Sequence, residues 1–424
     1  MARKRARTTS SSRSLTRSPL SLLIVLAAIV IIGAMALDVP HNLWAQPGLA
    51  DLRAAVLESV GLQASGTPQP TAALSPTPRV AHPTEQAPTA TTASAATQPP
   101  TTGPADWYQV YFTTPKYPDK AADHHDGIDG YLVQLIGQAQ HTIDVAAYQV
   151  DLDTVAQALL AAKQRGVAVR LVTETDYVKE KAIQQLKAGG VPVVDDRRGG
   201  LMHNKYVIVD GQWVWTGSWN LTVDCTYRNN NNAILIHSAD LARNYETKFK
   251  EMFEQHQFGP KRPSDTPLPV LTIEGTRIEN YFAPEDHVSE HIKTVLAGAQ
   301  HKIEFLAFSF TDDQIGQTLI DRARAGVAVS GVMETRGSDT QYAEYNPLRQ
   351  AGINVLLDGN PYTMHHKVFI VDDEIVVTGS FNPTSNADHD NDENTLIIYN
   401  RDIAHLYDEE FQRVQQRALE AQKP

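Results

Sequence analysis

Cysteine is nearly absent: Cys225 is the single one in 424 residues, so no intrachain disulfide can form. That suits a reducing compartment, and it also suits export, because a core drawn from 42 % hydrophobic residues needs no staples. Cys225 itself reads as a small, semi-buried hydrophobe. Basic charge is scarce as well. The first 104 residues carry eight Lys or Arg and four Asp or Glu, which leaves 29 basic and 45 acidic residues over 105–424, a net of −16. Such a body repels polyanions on average, which excludes a long electrostatic track for nucleic acid while allowing a local basic pocket. A carboxylate-rich cage for a hard divalent cation is also missing, so neither a metal nor a cofactor is expected.

Only one long apolar run exists, the uncharged Leu20–Leu37, and Arg3, Lys4, Arg5, Arg7, Arg13 and Arg17 precede it. Its 18 residues would span about 27 Å as a helix, just short of a hydrocarbon core of about 30 Å. The basic flank stays cytoplasmic and sends the rest of the chain outward. Ala34-Met35-Ala36 also fits a signal-peptide cleavage site. The run is thus an anchor or a cleaved signal, and either places the bulk outside the cytoplasm. The N-terminal region divides into a basic segment (1–19), the span (20–37), a short juxtamembrane segment (38–63) and a linker (64–104). Of the linker's 41 residues, 31 are Pro, Thr, Ala or Ser, too little apolar surface to fold, so an extended disordered tether is expected.

From about Trp107 the chain repeats itself. Ala139-Gln140-His141 returns as Ala299-Gln300-His301, Gly166-Val167-Ala168-Val169 as Gly326-Val327-Ala328-Val329, and Glu174-Thr175 as Glu334-Thr335, all 160 residues later. Tyr111-Phe112 matches Tyr281-Phe282 at 170, so the first copy holds about ten extra residues, among them His124 and His125. Strands are expected at 143–148 and 303–308, helices at 155–165 and 315–325, and buried β-branched strands at 167–172 and 327–332. Closing amphipathic helices fit 241–255 and 403–415. Alternating strands and helices argue for an α/β layered fold in each copy. The copies span 105–258 and 277–424, joined by a connector at 259–276. A period this long marks a duplicated domain and excludes a solenoid.

Each copy carries H-x-K-x-x-x-x-D: His203, Lys205 and Asp210 in the first, His365, Lys367 and Asp372 in the second. Period-two alternation puts each His and Lys on one strand face, with Asn204 or His366 on the other. A turn and a second strand follow, ending in Gly217-Ser218-Trp219-Asn220 or Gly379-Ser380-Phe381-Asn382. Each glycine lies 14 positions after its histidine and each asparagine 17, so a hairpin returns Asn220 and Asn382 beside the histidine and lysine. Two such constellations at identical spacing have no accidental origin. The aspartates stand on the other parity at a turn and read as braces for the hairpin. Ser218 and Ser380 suit either a phosphate or a backbone partner, while Trp219 and Phe381 read as packing.

These residues resemble the phospholipase D superfamily, whose two-copy members build one site between two similar halves. The resemblance covers about 107–418. It implies two α/β halves related by a pseudo-two-fold axis and metal-independent transfer at a phosphodiester through a phosphohistidine. Lys205, Lys367, Asn220 and Asn382 would hold the non-bridging oxygens. Two ammonium groups and two amides can indeed offset the charge that builds on equatorial oxygens. Two histidines split one displacement into two easier ones. Asn231 and Glu393 each lie 28 residues after a histidine. If each serves the histidine of its own copy, Glu393 favours imidazolium at His365, the general acid, and Asn231 leaves His203 neutral, the nucleophile.

A phospholipid head-group ester beside a membrane is the favoured substrate, and no oligomer is required. The alternatives are a secreted or anchored endonuclease and a cardiolipin synthase-like phosphatidyltransferase. An apolar rim would mark the lipid enzyme, and a basic, aromatic-lined groove the nuclease. A catalytically silent binding protein would have lost a His, Lys or Asn, and none is lost.

Overall fold

The computed structural model describes residues 107–260 and 263–423. The basic segment, apolar run and linker read from 1–104 lie outside the described residues. Among those described, no helix is long and apolar enough to cross a membrane.

Half one is built on strands β1 (Tyr108–Phe112), β2 (Thr142–Ala147), β3 (Ala168–Thr173), β4 (Val193–Asp195), β5 (Lys205–Val209), β6 (Trp213–Gly217), β7 (Asn229–Asn230) and β8 (Asn232–His237). Half two follows with β9 (Val270–Ile273), β10 (Thr276–Ala283), β11 (Lys302–Ala307), β12 (Ala328–Met333), β13 (Asn354–Leu357), β14 (Thr363–Met364), β15 (Lys367–Val371), β16 (Ile375–Gly379) and β17 (Glu393–Tyr399). One sheet has the order β1-β8-β6-β5-β2-β3-β4. The other, β13-β12-β11-β15-β16-β17-β10-β9, is the same order read backwards with β9 added at its edge. The stretch 259–276, read from the sequence as a connector, therefore supplies an edge strand, which turns onto β10 through Glu274 and Gly275, both with positive φ. Within each sheet three strands run parallel, β2-β3-β4 and β11-β12-β13, and the other pairs are antiparallel. This is a mixed α/β fold of two duplicated halves.

The repeated sequence words have local structural reasons. Gly166 and Gly326 take φ of 97° and 95° just past the helices Asp153–Gln164 and Asp313–Arg324. Gly166 N–H bonds to Lys163 O and Val167 N–H to Ala162 O; Gly326 and Val327 bond likewise to Ala323 and Arg322. That paired closure satisfies the last carbonyls and needs a residue without Cβ strain, hence Gly-Val-Ala-Val at the start of β3 and β12.

Strand alternation feeds two cores. Val207 and Val209 pack with the outer helices of half one, whereas Tyr206 and Ile208 join Val368 and Ile370 of half two in a core shared by both sheets. The helices Ala239–Glu254 and Arg401–Ala421 add Tyr245, Phe249, Tyr407 and Phe411 to that shared core. Backbone also crosses between halves. Met364 of β14 pairs with Asn230 of β7, and Met202 bridges Asp392. These two reciprocal contacts fix the residues that come next in each chain segment: His365 beside Asn231, and His203 beside Glu393.

Candidate active site

The crossed ladders decide which partner each histidine receives. His203 N–H donates to Asp392 O at 3.0 Å and His365 N–H to Asn230 O at 2.9 Å, so each histidine stands across from the other half's polar residue. His203 Nδ1 lies 2.8 Å from Glu393 Oε2, and His365 Nδ1 lies 2.9 Å from Asn231 Oδ1. The sequence expectation, Glu393 with His365 and Asn231 with His203, is thereby reversed. Copy-by-copy alignment gave each histidine the partner from its own half, whereas inter-half pairing supplies it from the other.

The tautomers follow from these partners. A carboxylate accepts only, so His203 carries its proton on Nδ1 and leaves Nε2 bare. Asn231 donates through Nδ2 to Cys225 O at 3.0 Å, which turns Oδ1 toward His365 and gives that ring the same tautomer. Ser218 Oγ donates to Asn231 Oδ1 at 3.0 Å and Ser380 Oγ to Glu393 Oε2 at 2.6 Å. Each serine also accepts a backbone N–H, from Asn232 and Asn394 respectively. Both thus orient the residue that orients the opposite histidine. Gly217 and Gly379 just before them have φ of 147° and 148°, and a Cβ there would lie 2.4 Å from Asn232 O or 2.2 Å from Asn394 O. Only glycine lets the two strands approach so closely.

Lys205 Nζ donates to His203 O and Lys367 Nζ to His365 O, each at 2.7 Å. The ammonium of Lys205 sits 4.9 Å over the Tyr148 ring and that of Lys367 4.6 Å over Phe308. The same rings meet the histidines edge-on, Tyr148 at 4.9 Å from His203 and Phe308 at 4.7 Å from His365. Histidine and lysine are thus clamped around one aromatic ring in each half. Sequence reasoning passed over Tyr148 and Phe308, although they share the 160-residue offset of the other repeated words.

All four groups are buried and feel one another. Burial pushes His203 down to about 4, with Glu393 opposing and Lys205 and Lys367 adding to the fall. His365 falls well below its ordinary value through burial and then the charges of Lys367, Lys205 and His203. Burial lowers Lys205 to about 7 against the pull of Glu393, and Lys367 drops well below its usual range through burial and the Lys205 charge. Burial works against Glu393, yet His203, Lys205 and Ser380 hold it below the usual carboxylate range. Positive charge is thus disfavoured on all four groups in this buried space, and an anion bound there would favour it. The Oδ1 of Asn220 and that of Asn382 are buried and have no hydrogen-bond partner among the described residues, and Asn220 Nδ2 rests on Cys225 Sγ at 3.6 Å.

Asp210 and Asp372 take no part in that space. Each carboxylate accepts three successive backbone N–H groups: Gln140, His141 and Thr142 at 2.7–2.9 Å, or Gln300, His301 and Lys302 at 2.7–2.8 Å. They brace the hairpin turn onto the repeated Ala-Gln-His loop. Against a modest cost of burial, those donors hold both carboxyls below their ordinary range. Trp219 and Phe381 are buried in the outer cores, as packing.

Other residues escaped notice. Glu174 accepts from Met202 N at 2.8 Å and Glu334 from Met364 N at 2.7 Å, holding the residue just before each histidine. Burial, with Asp196 or Asp358 adding repulsion, pushes both carboxyls up to about 7. Their repeated Glu-Thr words were visible in the sequence, but their partners were not. The extra segment of half one reaches toward half two. Asp119 joins His124 at 2.7 Å and Arg228 at 2.8 Å, and its backbone N–H donates to Tyr362 OH at 2.7 Å, three residues before His365. His124 stacks on Tyr227 at 4.3 Å, and the neighbouring His125 pairs with Asp126 on the surface. Glu304, Asp373 and Asp408 converge as metal ligands could, but the Lys302 ammonium already lies among them at 2.5–2.9 Å.

The chain is similar to known proteins. A family model described as "Cardiolipin synthase, PLD-like domain" matches residues 132–253 and again 292–415. The mitochondrial cardiolipin hydrolase of Xenopus tropicalis is 31% identical over 135 residues, 31% of this chain and 64% of that protein. A phospholipase D of Rickettsia prowazekii is 36% identical over 121 residues, 28% of this chain and 59% of that protein. The chain thus spans roughly three-fifths of the length of these curated relatives. Among solved structures, phosphatidylserine synthase of Haemophilus influenzae has a similar fold, with TM-score 0.51 and 14% identity over 68% of this chain and 84% of that one. Nuc from Salmonella typhimurium, a phospholipase D family member, is 29% identical over 34% of this chain and 95% of that one, with TM-score 0.32.

Proposed function

Since the chain belongs to the phospholipase D superfamily, we propose that it is a phosphodiesterase that hydrolyses a phospholipid head-group ester through a covalent phosphohistidine. The observation that carries this reading is the crossed pairing, which puts both histidines and both lysines within electrostatic reach of one another.

His203 is the nucleophile in this reading, on a ground different from the one the sequence offered. Glu393 holds its Nδ1 proton, leaves Nε2 bare, and offsets the positive charge that the ring acquires when phosphorus bonds to Nε2. The P–N bond forms as the P–O bond to the leaving alcohol breaks, and His365 gives that alcohol its proton. Bound phosphodiester charge offsets both ammonium groups, which lets His365 take up the proton it must donate. His365 then accepts a proton from water, whose oxygen displaces Nε2 and frees the phosphate monoester. Lys205, Lys367 and the amides of Asn220 and Asn382 hold the non-bridging oxygens.

A lipid substrate is supported by the names of the curated relatives, cardiolipin hydrolase and phospholipase D, and by the acidic body. An N-terminal anchor or export signal would put the site outside the cytoplasm, close to a bilayer. A second reading, an endonuclease of the same family, is favoured by an aromatic pair that includes Tyr362, three residues before His365: exposed Tyr117 tilts against Tyr362 and Arg228 lies 5.7 Å over that ring. Such rings can stack bases.

Residues 105–424 assayed with EDTA should cleave phosphatidylcholine vesicles and leave DNA intact; DNA cleavage alone would promote the second reading. Rapid quenching should place the trapped phosphate on the peptide containing His203. With a nitrophenyl diester, whose leaving group needs little protonation, His365→Ala should keep more activity than His203→Ala. Equal losses would sink the assignment, and phosphate on His365 would reverse it.

A further inference from the structure

The two halves repeat each other closely around the site, but the short helices that follow the asparagines differ in sequence, Val223-Asp224-Cys225-Thr226-Tyr227 against Ser385-Asn386-Ala387-Asp388-His389. Val223–Tyr227 and Ser385–His389 have the same backbone: Thr222 and Thr384 cap them through Oγ1, accepting from Cys225 N and Ala387 N at 3.2 Å each. Cys225 and Ala387 both lie 22 residues after a catalytic histidine. The thiol in half one has no counterpart in half two.

That thiol is buried, 5 % exposed, and it receives two amides: Asn220 Nδ2 at 3.6 Å and Asn229 Nδ2 at 3.7 Å. The carbonyl of the same residue accepts Asn231 Nδ2 at 3.0 Å. One residue therefore holds the amide proposed to grip phosphate and also the amide that sets the His365 tautomer. Asn220 is 7 % exposed and its Oδ1 has no hydrogen-bond partner among the described residues, so the sulfur is the side-chain contact that fixes its NH2. In half two Asn391, the counterpart of Asn229, serves otherwise, donating to Glu393 Oε1 at 3.2 Å and accepting from Leu201 N at 3.1 Å.

We propose that Cys225 is a positioning residue of half one, whose sulfur pre-orients Asn220 toward the phosphodiester oxygens while Asn382 stays free to adjust. The inference rests on the phosphodiesterase reading. It gives the duplicated site one rigid amide and one compliant amide, so that the substrate meets two unlike arms. A weak S-acceptor hydrogen bond suffices, because a misplaced donor loses its grip on charge in a dry site.

Cys225→Ala places in half one the residue that half two already tolerates, so the fold is expected to hold, with an unchanged melting temperature. Its kcat on a soluble nitrophenyl phosphodiester should fall roughly 5-fold, the worth of about one hydrogen bond, with little change in KM. Cys225→Ser, which keeps an acceptor, should recover most of that loss. The side-chain NH2 resonances of Asn220 should shift or broaden in Cys225→Ala and return toward their original place in the serine variant. Wild-type kcat in Cys225→Ala, no recovery with serine, or unmoved Asn220 resonances would each overturn the inference. A wild-type enzyme that cleaves no phosphodiester would instead sink the functional reading, and the Asn220 resonances would still decide the role of Cys225.

Discussion

At the scale of single residues, chemistry depends on which neighbours each titratable group meets. Lys205 and Lys367 open β5 and β15 and share a parity with the histidines two residues before them, which the H-x-K spacing already implied. Their depressed proton affinities come from burial, and for Lys367 from the Lys205 charge as well, and only the folded protein creates those conditions. Because Lys205 is lowered to about 7, its ammonium is lost from the free enzyme as pH rises through that value. The kcat/KM for a phosphodiester should therefore decline on the alkaline side from near neutrality. Lys205→Arg keeps a charge at every accessible pH, so its alkaline decline should move upward even as the plateau drops, since a guanidinium does not fit an ammonium's place. A pH profile with the same alkaline limb in both proteins would show that another group governs it.

At the scale of elements, the strand-turn-strand unit was legible from sequence because its signals are local: alternation, an Asp-Gly or Asp-Asp turn, and glycine at a fixed distance. The aspartate of the motif was also legible as a brace, from its parity. What it braces was not, since Ala139–His141 lies about 70 residues upstream of Asp210. Asp210→Ala leaves three adjacent N–H groups without their acceptor at a partly exposed turn. It should cost roughly 1–2 kcal/mol of stability, with kcat of the folded enzyme reduced far less than by His203→Ala. Urea unfolding and active-site titration together check this; a kcat loss as large as that of His203→Ala would make the aspartate a participant in the chemistry. The edge strand Val270–Ile273 was read as connector because four residues among Pro- and Gly-containing neighbours carry little periodic signal, and its pairing with β10 supplies the reason it is a strand.

At the scale of the whole molecule, the halves are joined by polar contacts as well as by a shared apolar core. Asn394 Nδ2 donates to Asn204 Oδ1 at 3.0 Å, and Asn394 Oδ1 accepts from Thr216 Oγ1 at 2.7 Å. Asn232 does the same in reverse, reaching His366 Nδ1 at 3.0 Å and accepting from Thr378 Oγ1 at 2.9 Å. His366 passes on to Glu410 at 2.8 Å. The middle residues of both motifs, Asn204 and His366, are thus the polar seam between halves. Asn394→Ala strands buried donors and acceptors on both sides, a loss of about 2 kcal/mol. Because the apolar core is shared, calorimetry should show a single transition moved to lower temperature. Two separated transitions would mean that the halves unfold independently.

The sequence by itself determined the duplication, the α/β character, the His-Lys-Asn set and the bracing aspartates, because each is written in short-range spacing repeated twice. Only the tertiary structure decided the partnerships: Glu393 with His203, Asn231 with His365, a tyrosine or phenylalanine beneath each lysine, and a thiol behind one asparagine alone. The reason is geometric. Reciprocal strand contacts carry each half's polar residues across to the other half's histidine, and no periodicity within a copy records which copy its side chains will face.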